Sequence, residues 1–101
     1  MNQLLGQTPP QATRFTAKQG QYLAFIWAYA QLNRRAPAEA DFQRYFEVTA
    51  PSVHQMLKTL DRLGLIQKQP GLARSIKLLV APQDLPVLGI DQPVKITAAR
   101  Y

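Results

Sequence analysis

Apolar residues recur along residues 49 to 63, TAPSVHQMLKTLDRL, with the spacing of an α-helix. Members of this set lie three, four, seven and ten positions after the first one, and they are Val53, Met56, Leu57, Leu60 and Leu63. Such spacing places side chains on one face of a helix. The other face carries hydrogen-bonding side chains, namely Ser52, His54, Gln55, Lys58, Thr59 and Arg62. We therefore expect a helix over residues 51 to 63 with one face in a core and one face toward a polar partner.

A first helix is expected from about Ala17 to Asn33, with Thr16 as its N-cap. Its middle, YLAFIWAYA (22–30), is apolar on every side, so it needs cover on more than one face. Pro37 lies just beyond its predicted end and cannot continue a helix.

The second helix is expected over about Ala38 to Phe46, with Pro37 at its start. Its predicted packing residues are Phe42, Tyr45 and Phe46. A short turn over residues 47–49 then leads to the helix that starts near Pro51. Helix, short turn and helix in this order are typical of a helix-turn-helix.

A β-hairpin is predicted after Gly64, the expected C-cap glycine. The segments LIQKQ and SIKLLV have strand character, and PGLAR (70–74) joins them as a turn. Strand alternation sends Lys68 and Lys77 to solvent and places Arg74 near the tip, where it could reach a phosphate or the minor groove. The inward positions are Ile66, Ile76 and Leu78. The predicted fold class is mainly α with a small β-hairpin, a three-helix winged helix-turn-helix.

The composition changes on both sides of this unit. Residues 1–14 read as a flexible N-terminal arm, residues 15–80 as the winged helix-turn-helix domain, and residues 81–101 as an extended, Pro-containing C-terminal tail. The tail is too apolar for a disordered segment. We expect it to lie across exposed apolar surface, on the first helix of the same or a second subunit.

Charge points to a polyanionic partner. Twelve Lys and Arg residues against six Asp and Glu residues give a formal charge of +6 and a pI near 10.1. Residues 1–38 and 62–83 hold basic residues without an acid, and four of the six acids lie between them. The basic segments coincide with the predicted helix and hairpin, which favours nucleic acid over a surface charged only for solubility.

Several classes of function are disfavoured. With one histidine, two serines and no cysteine, the chain offers few pairs of nucleophile and base, so we predict no enzyme, no metal site and no cofactor. The five glycines are scattered, so no phosphate-binding loop is predicted, nor is a small-molecule ligand. No apolar run approaches the roughly 18 to 20 residues that span a bilayer, and no secretory leader is visible, so a cytoplasmic location is expected.

The residues FTAKQ (15–19), PSVHQMLKTLDRLGLIQK (51–68) and PGLARSIKLL (70–79) resemble the N-terminal DNA-binding domain of LexA-type SOS repressors over about residues 15–80. The resemblance implies a regulator, a repressor, that binds double-stranded DNA. It implies that Ser52, His54 and Gln55 read bases while Lys58 and Arg74 contact the backbone. The whole predicted interface is Thr49, Ser52, His54, Gln55, Lys58, Thr59, Arg62, Lys68, Arg74 and Lys77.

The chain departs from the family pattern at three places. Glu47 stands in the turn where the family has glycine, and a positive φ there would cost about 1 kcal/mol. Trp27 replaces a polar residue, which indicates either a core position or a contact with a subunit or partner. The chain has no room for the family's self-cleaving domain, and no Ala-Gly pair follows DLPVLG (84–89), so self-cleavage is not predicted.

One alternative function stays open, a winged helix that contacts protein and has only non-specific affinity for DNA. Binding to single strands or RNA is less favoured because the predicted wing lacks exposed aromatic residues. One small domain buries limited DNA surface, so we expect a homodimer through the first helix and the tail on a two-fold DNA site.

Overall fold

The computed structural model describes residues 15–89. Its elements in chain order are α1 (Ala17–Asn33), α2 (Glu39–Phe46), α3 (Ala50–Arg62), β1 (Ile66–Gln67), β2 (Lys77–Leu78) and a single 3-10 turn (Pro82–Asp84). The prediction of a mainly α winged helix-turn-helix with a small hairpin is confirmed. The predicted arm, residues 1–14, and tail residues 90–101 lie outside the described residues.

The first helix has the predicted bounds because both ends are capped. The Thr16 hydroxyl accepts a hydrogen bond from the Gln19 amide at 3.1 Å, and the Thr16 amide donates to Gln19 Oε1 at 2.9 Å. This reciprocal pair satisfies two amide groups at the start of the helix. At the other end Arg34 adopts a left-handed conformation (φ 61°), and its amide donates to the Ala30 carbonyl.

The core lies between the three helices and under the hairpin. Its buried members are Tyr22, Leu23, Phe25, Ile26, Phe42, Phe46, Val53, Leu57, Leu60, Leu65, Ile66 and Val80. Tyr22 stacks on Phe46 with ring centroids 4.5 Å apart, so α1 and α2 are joined by aromatic packing. The interpretation of Trp27 as a core residue is wrong, because 41% of it is exposed.

The second and third helices form the helix-turn-helix. α2 begins at Glu39, one residue later than predicted, because Ala38 is its N-cap. Glu47 ends it with φ 57°, so the turn keeps the left-handed conformation for which a glycine would be favoured. Thr49 then caps α3 by accepting from the Ser52 amide at 3.3 Å.

The prediction that Leu63 lies on the buried apolar face of α3 is wrong. The helix spans Ala50–Arg62, and Leu63 is its C-cap with 45% of its surface exposed. Gly64 follows with φ 78°, and this turn brings Leu65 into the core. Leu63 therefore points away from the core although its spacing fits the helix.

The hairpin is shorter than the two predicted segments. Only two residue pairs form the sheet, Ile66 with Leu78 and Gln67 with Lys77. Ile66 is buried, while Ile76 and Leu78 are partly buried and pack against the core, as expected from strand alternation. We call the segment from residue 65 to residue 80 the wing, and residues 70–74 within it the wing turn.

The described part of the tail returns to α1 of the same chain. The Gln21 side chain donates from Nε2 to the Val87 carbonyl at 3.1 Å and accepts from the Gly89 amide at 2.6 Å. A Cβ atom on Gly20 would lie only 3.0 Å from Pro86 Cγ, so glycine permits this close approach. The 3-10 turn at Pro82–Asp84 was not expected in an extended tail.

Candidate nucleic-acid interface

The two faces of α3 differ in burial as the sequence pattern predicts. Val53, Leu57 and Leu60 are completely buried. The exposed residues of the opposite face are Ser52, His54, Gln55, Lys58 and Arg62, and Thr59 is partly buried among them. A helix anchored by one face presents the other as a rigid row of donors and acceptors, which is the form in which an α-helix can enter the major groove.

The start of α3 is suited to a phosphate. Its first turn contains no acidic residue, and Pro51 lies there, where a missing amide costs no helical hydrogen bond. The helix dipole favours a negative charge at this end, although Pro51 has no amide hydrogen and the Ser52 amide is already bonded. Thr49 lies at this end, but its hydroxyl already accepts from the Ser52 amide. A contact from Thr49 to a phosphate would use the hydroxyl as a donor.

Two side chains on the polar face have partners within the protein. His54 Nδ1 lies 3.4 Å from Glu39 Oε2 of α2. Which ring nitrogen of His54 donates and which accepts depends on its tautomer. The Thr59 hydroxyl donates to the Gln55 carbonyl at 3.0 Å, so it is turned toward its own helix.

A cleft of about 440 Å³ separates the wing from the helix-turn-helix. Glu39 and His54 line one side, and Lys68, Gln69 and Arg74 line the other. The structure thus brings His54, Lys68 and Arg74 to one cleft, while Lys77 is exposed on β2. The predicted contacts of these residues with DNA stay predictions.

Arg74 has different surroundings from the other predicted interface residues. Its Nη1 atom lies 3.2 Å from the Tyr29 hydroxyl, 3.1 Å from the Ala36 carbonyl and 3.2 Å from Asp41 Oδ2. The guanidinium also lies 5.9 Å from the centre of the Tyr29 ring. The hydrogen bond with Tyr29 is the main cause that raises the pKa of Arg74; burial opposes it and the Asp41 charge adds to it. Nη1 of Arg74 is therefore bound within the protein, at α1, the α1–α2 loop and α2, while 31% of the side chain stays exposed.

Asp41 is the centre of this network and was missed by sequence reasoning. Only 7% of it is exposed, and Oδ2 accepts from the Ala38 amide at 2.8 Å as well as from Arg74. Arg44 binds the other oxygen. Burial is the largest influence and would raise the pKa of this carboxyl, but the hydrogen bonds from Ala38 and Tyr29 and the two guanidinium charges together lower it. The one available signal was an acid three positions after the predicted helix start.

Across residues 15–89, no three potential metal ligands cluster together. None of the helices within the same range is long and apolar enough to cross a membrane.

Comparison with known proteins gives a consistent result. Residues 12–75 match the family described as the LexA DNA binding domain, a range that covers the three helices, β1 and the wing turn. The LexA repressor of Thermosipho africanus (strain TCF52B) is 33% identical over 76 residues, which are 73% of this chain and 38% of that protein. The LexA repressor of Thermosipho melanesiensis is 32% identical over 78 residues, 75% of this chain and 39% of that protein. The chain thus spans less than two fifths of the length of these relatives.

Proposed function

Because the chain belongs to the LexA DNA-binding domain family, we propose that it is a transcriptional repressor that binds specific sequences in double-stranded DNA. The observation that supports this proposal is the division of α3 into a completely buried apolar face and an exposed polar face. Such a regulator would act in the cytoplasm and would need no cofactor or catalytic group.

In the proposed complex α3 lies in the major groove. Ser52, His54 and Gln55 face base edges, and Gln55 can pair with adenine through two hydrogen bonds. The side chains assigned to the phosphate backbone are Thr49, Lys58, Arg62, Lys68 and Lys77, whereas the hydroxyl of Thr59 already donates to the Gln55 carbonyl. These contacts set the position of the domain on the duplex, whereas the base contacts provide the sequence preference.

The experiment that tests this function is selection from a randomised duplex library at physiological salt. Enrichment of one motif would support sequence-specific binding, and a two-fold repeat of the motif would support a dimer. Retention of duplex DNA without enrichment of a motif would show that binding is only electrostatic association. A variant with both Gln55→Ala and His54→Ala is the matched control, because it should retain duplex DNA while losing the motif.

We further propose a homodimer on DNA, formed through α1 and the tail. Trp27 on α1 and Val87 in the tail are exposed, the latter by 68%, and both are apolar surfaces available to a second subunit. Sedimentation velocity at high protein concentration, with and without the selected duplex, measures the state directly. A monomer under both conditions, with one protein per two-fold site, would reject this part of the proposal.

A second candidate function is docking of a protein partner. Trp27 borders a shallow groove of about 280 Å³ whose lining is Ile26, Ala30, Arg34, Arg35, Ala36, Ile76 and Leu78. Exposed tryptophan and arginine are enriched at protein interfaces. This function would take first place if no duplex were retained in the selection.

A further inference from the structure

The wing turn is only weakly fixed by its own backbone. Two residue pairs make the sheet, and so short a ladder is marginal on its own. The Gln69 amide donates to Ser75 Oγ at 2.9 Å, and the Leu72 amide donates to the Gln69 carbonyl at 3.2 Å. These bonds close the turn upon itself. They do not join it to the helices.

Arg74 makes that connection. Within residues 15–89, hydrogen bonds from the side chains of the wing turn to the helices come from Arg74, while Ile76 adds apolar packing. Arg74 does so from a left-handed backbone conformation with φ 56°. A residue other than glycine rarely adopts this conformation unless its surroundings hold it there. The strained backbone and the engaged side chain both indicate a defined position.

The partner of Arg74 connects the wing to the DNA-facing helix. Asp41 Oδ2 also accepts from the Ala38 amide at the start of α2, and Glu39 in the same turn faces His54 of α3. The contact therefore sets the distance between the wing and α3 across the cleft that Lys68 and His54 line.

From this geometry we propose that Arg74 is a positioning residue, which holds the wing at a fixed separation from α3 through Asp41, and is not a phosphate contact. The inference rests on the proposed DNA binding and deepens it. It reassigns one of the two backbone contacts implied by the family resemblance.

Charge makes the two roles separable. A basic residue that contacts a phosphate displaces a counterion from the DNA. Its removal therefore lowers the steepness of the plot of log binding constant against log salt concentration by about one. Removal of a positioning residue weakens binding by the same factor at every salt concentration. Asp41→Asn gives a sharper contrast, because it makes the protein more positive. Electrostatic attraction alone then predicts equal or tighter binding, whereas loss of wing position predicts weaker binding.

The test uses the full chain, a fluorescent duplex from the selection and anisotropy over a range of salt concentrations. We expect Arg74→Ala and Asp41→Asn each to weaken binding about tenfold with the salt slope unchanged, and the double variant to be no weaker than either, as for residues in one network. Lys77→Ala, which removes an exposed charge from the same hairpin, is the matched control and should lower the slope by about one. The proposal is overturned if Arg74→Ala lowers the slope as Lys77→Ala does, or if Asp41→Asn binds as well as the unmodified chain.

Hydrogen exchange without DNA separates this proposal from the function on which it rests. Arg74→Ala and Asp41→Asn should speed exchange of the Gln69 and Leu72 amides, while the amides of Leu57 and Leu60 in α3 keep their protection. Lys77→Ala should leave both sets unchanged. Equal acceleration in the wing and α3 would show a general loss of stability and overturn the proposal. If the unmodified chain binds no duplex, the proposed function fails, and the exchange result alone then decides whether Arg74 positions the wing.

Discussion

Helix α3 and the wing turn, residues 70–74, lie on either side of one cleft but are held in place by different forces. Val53, Leu57 and Leu60 fix α3 by complete burial of apolar side chains. The ends of the wing are held by the same kind of burial, through Leu65, Ile66 and Val80. Its turn is instead joined to the helices by the charged contact between Arg74 and Asp41. Burial of apolar surface hardly depends on pH or salt, whereas contacts between charges do. The comparison indicates that solution conditions can loosen the wing turn while α3 and the ends of the wing stay in place.

The largest effect is expected from Leu57→Ala. Truncation of a completely buried leucine leaves a cavity and should cost about 2 to 5 kcal/mol of unfolding free energy. Leu63→Ala is the control, since this exposed leucine should matter by no more than about 0.5 kcal/mol. Urea denaturation of both variants measures the difference. Similar losses of unfolding free energy in the two variants would contradict the conclusion that only the inner face of α3 packs in the core.

On the outer face of α3, Gln55→Ala should relax the preference for the selected DNA sequence by roughly 1 to 3 kcal/mol. Lys58→Ala, one turn along the helix, should weaken all duplexes alike and flatten the salt dependence. Binding to matched and mismatched duplexes at two salt concentrations measures both quantities. Equal losses on all duplexes for both variants would contradict the division between base and phosphate contacts.

Acid should loosen the wing turn before it affects α3. The folded state lowers the pKa of Asp41 below its ordinary value of 3.8, so the ionised carboxylate contributes stability above that value. This contribution is lost as pH falls from about 5 through the folded pKa. Asp41→Asn lacks this contribution throughout.

The check is the urea midpoint of both proteins between neutral pH and about pH 2.5. The difference in urea midpoint between the unmodified chain and Asp41→Asn should be constant above about pH 5 and should become smaller below it. The protection factor of the Leu72 amide, which excludes the intrinsic pH dependence of exchange, should fall over the same pH range. A gap that does not change with pH would show that the Asp41 charge has no role in stability.

The smallest effect concerns the turn before α3. Glu47 has φ 57°, and Glu47→Gly should be more stable than Glu47→Ala by about 1 kcal/mol, because only glycine adopts this conformation without strain. Both variants remove the carboxylate, so its contacts cancel in the difference. Thermal unfolding measures it, and a more stable alanine variant would contradict the argument.

Features that depend on neighbouring residues were predictable from sequence. Thr16 and Gln19 fix the start of α1 by their own hydrogen bonds, and the buried residues of α3 follow its helical spacing. The order of three helices and a hairpin follows from such local patterns.

Features that depend on distant residues were not predictable. Arg74 contacts Asp41, 33 positions earlier, and Tyr29, 45 positions earlier, so its place near the wing tip suggested an outward side chain. Trp27 is exposed because the core around α1 is filled by Tyr22, Phe25 and Ile26. No spacing rule contains this information, because it arises only when the elements pack.

The hydrogen bonds of Gln21 have a consequence for how this chain can change over generations. Gln21 holds the tail through the carbonyl of Val87 and the amide of Gly89, both of which are backbone groups. Every residue type has a carbonyl, and every one except proline has an amide hydrogen. Position 87 can therefore drift among many residues while these bonds are kept, whereas replacement of Gln21 by an apolar residue would remove both bonds at once.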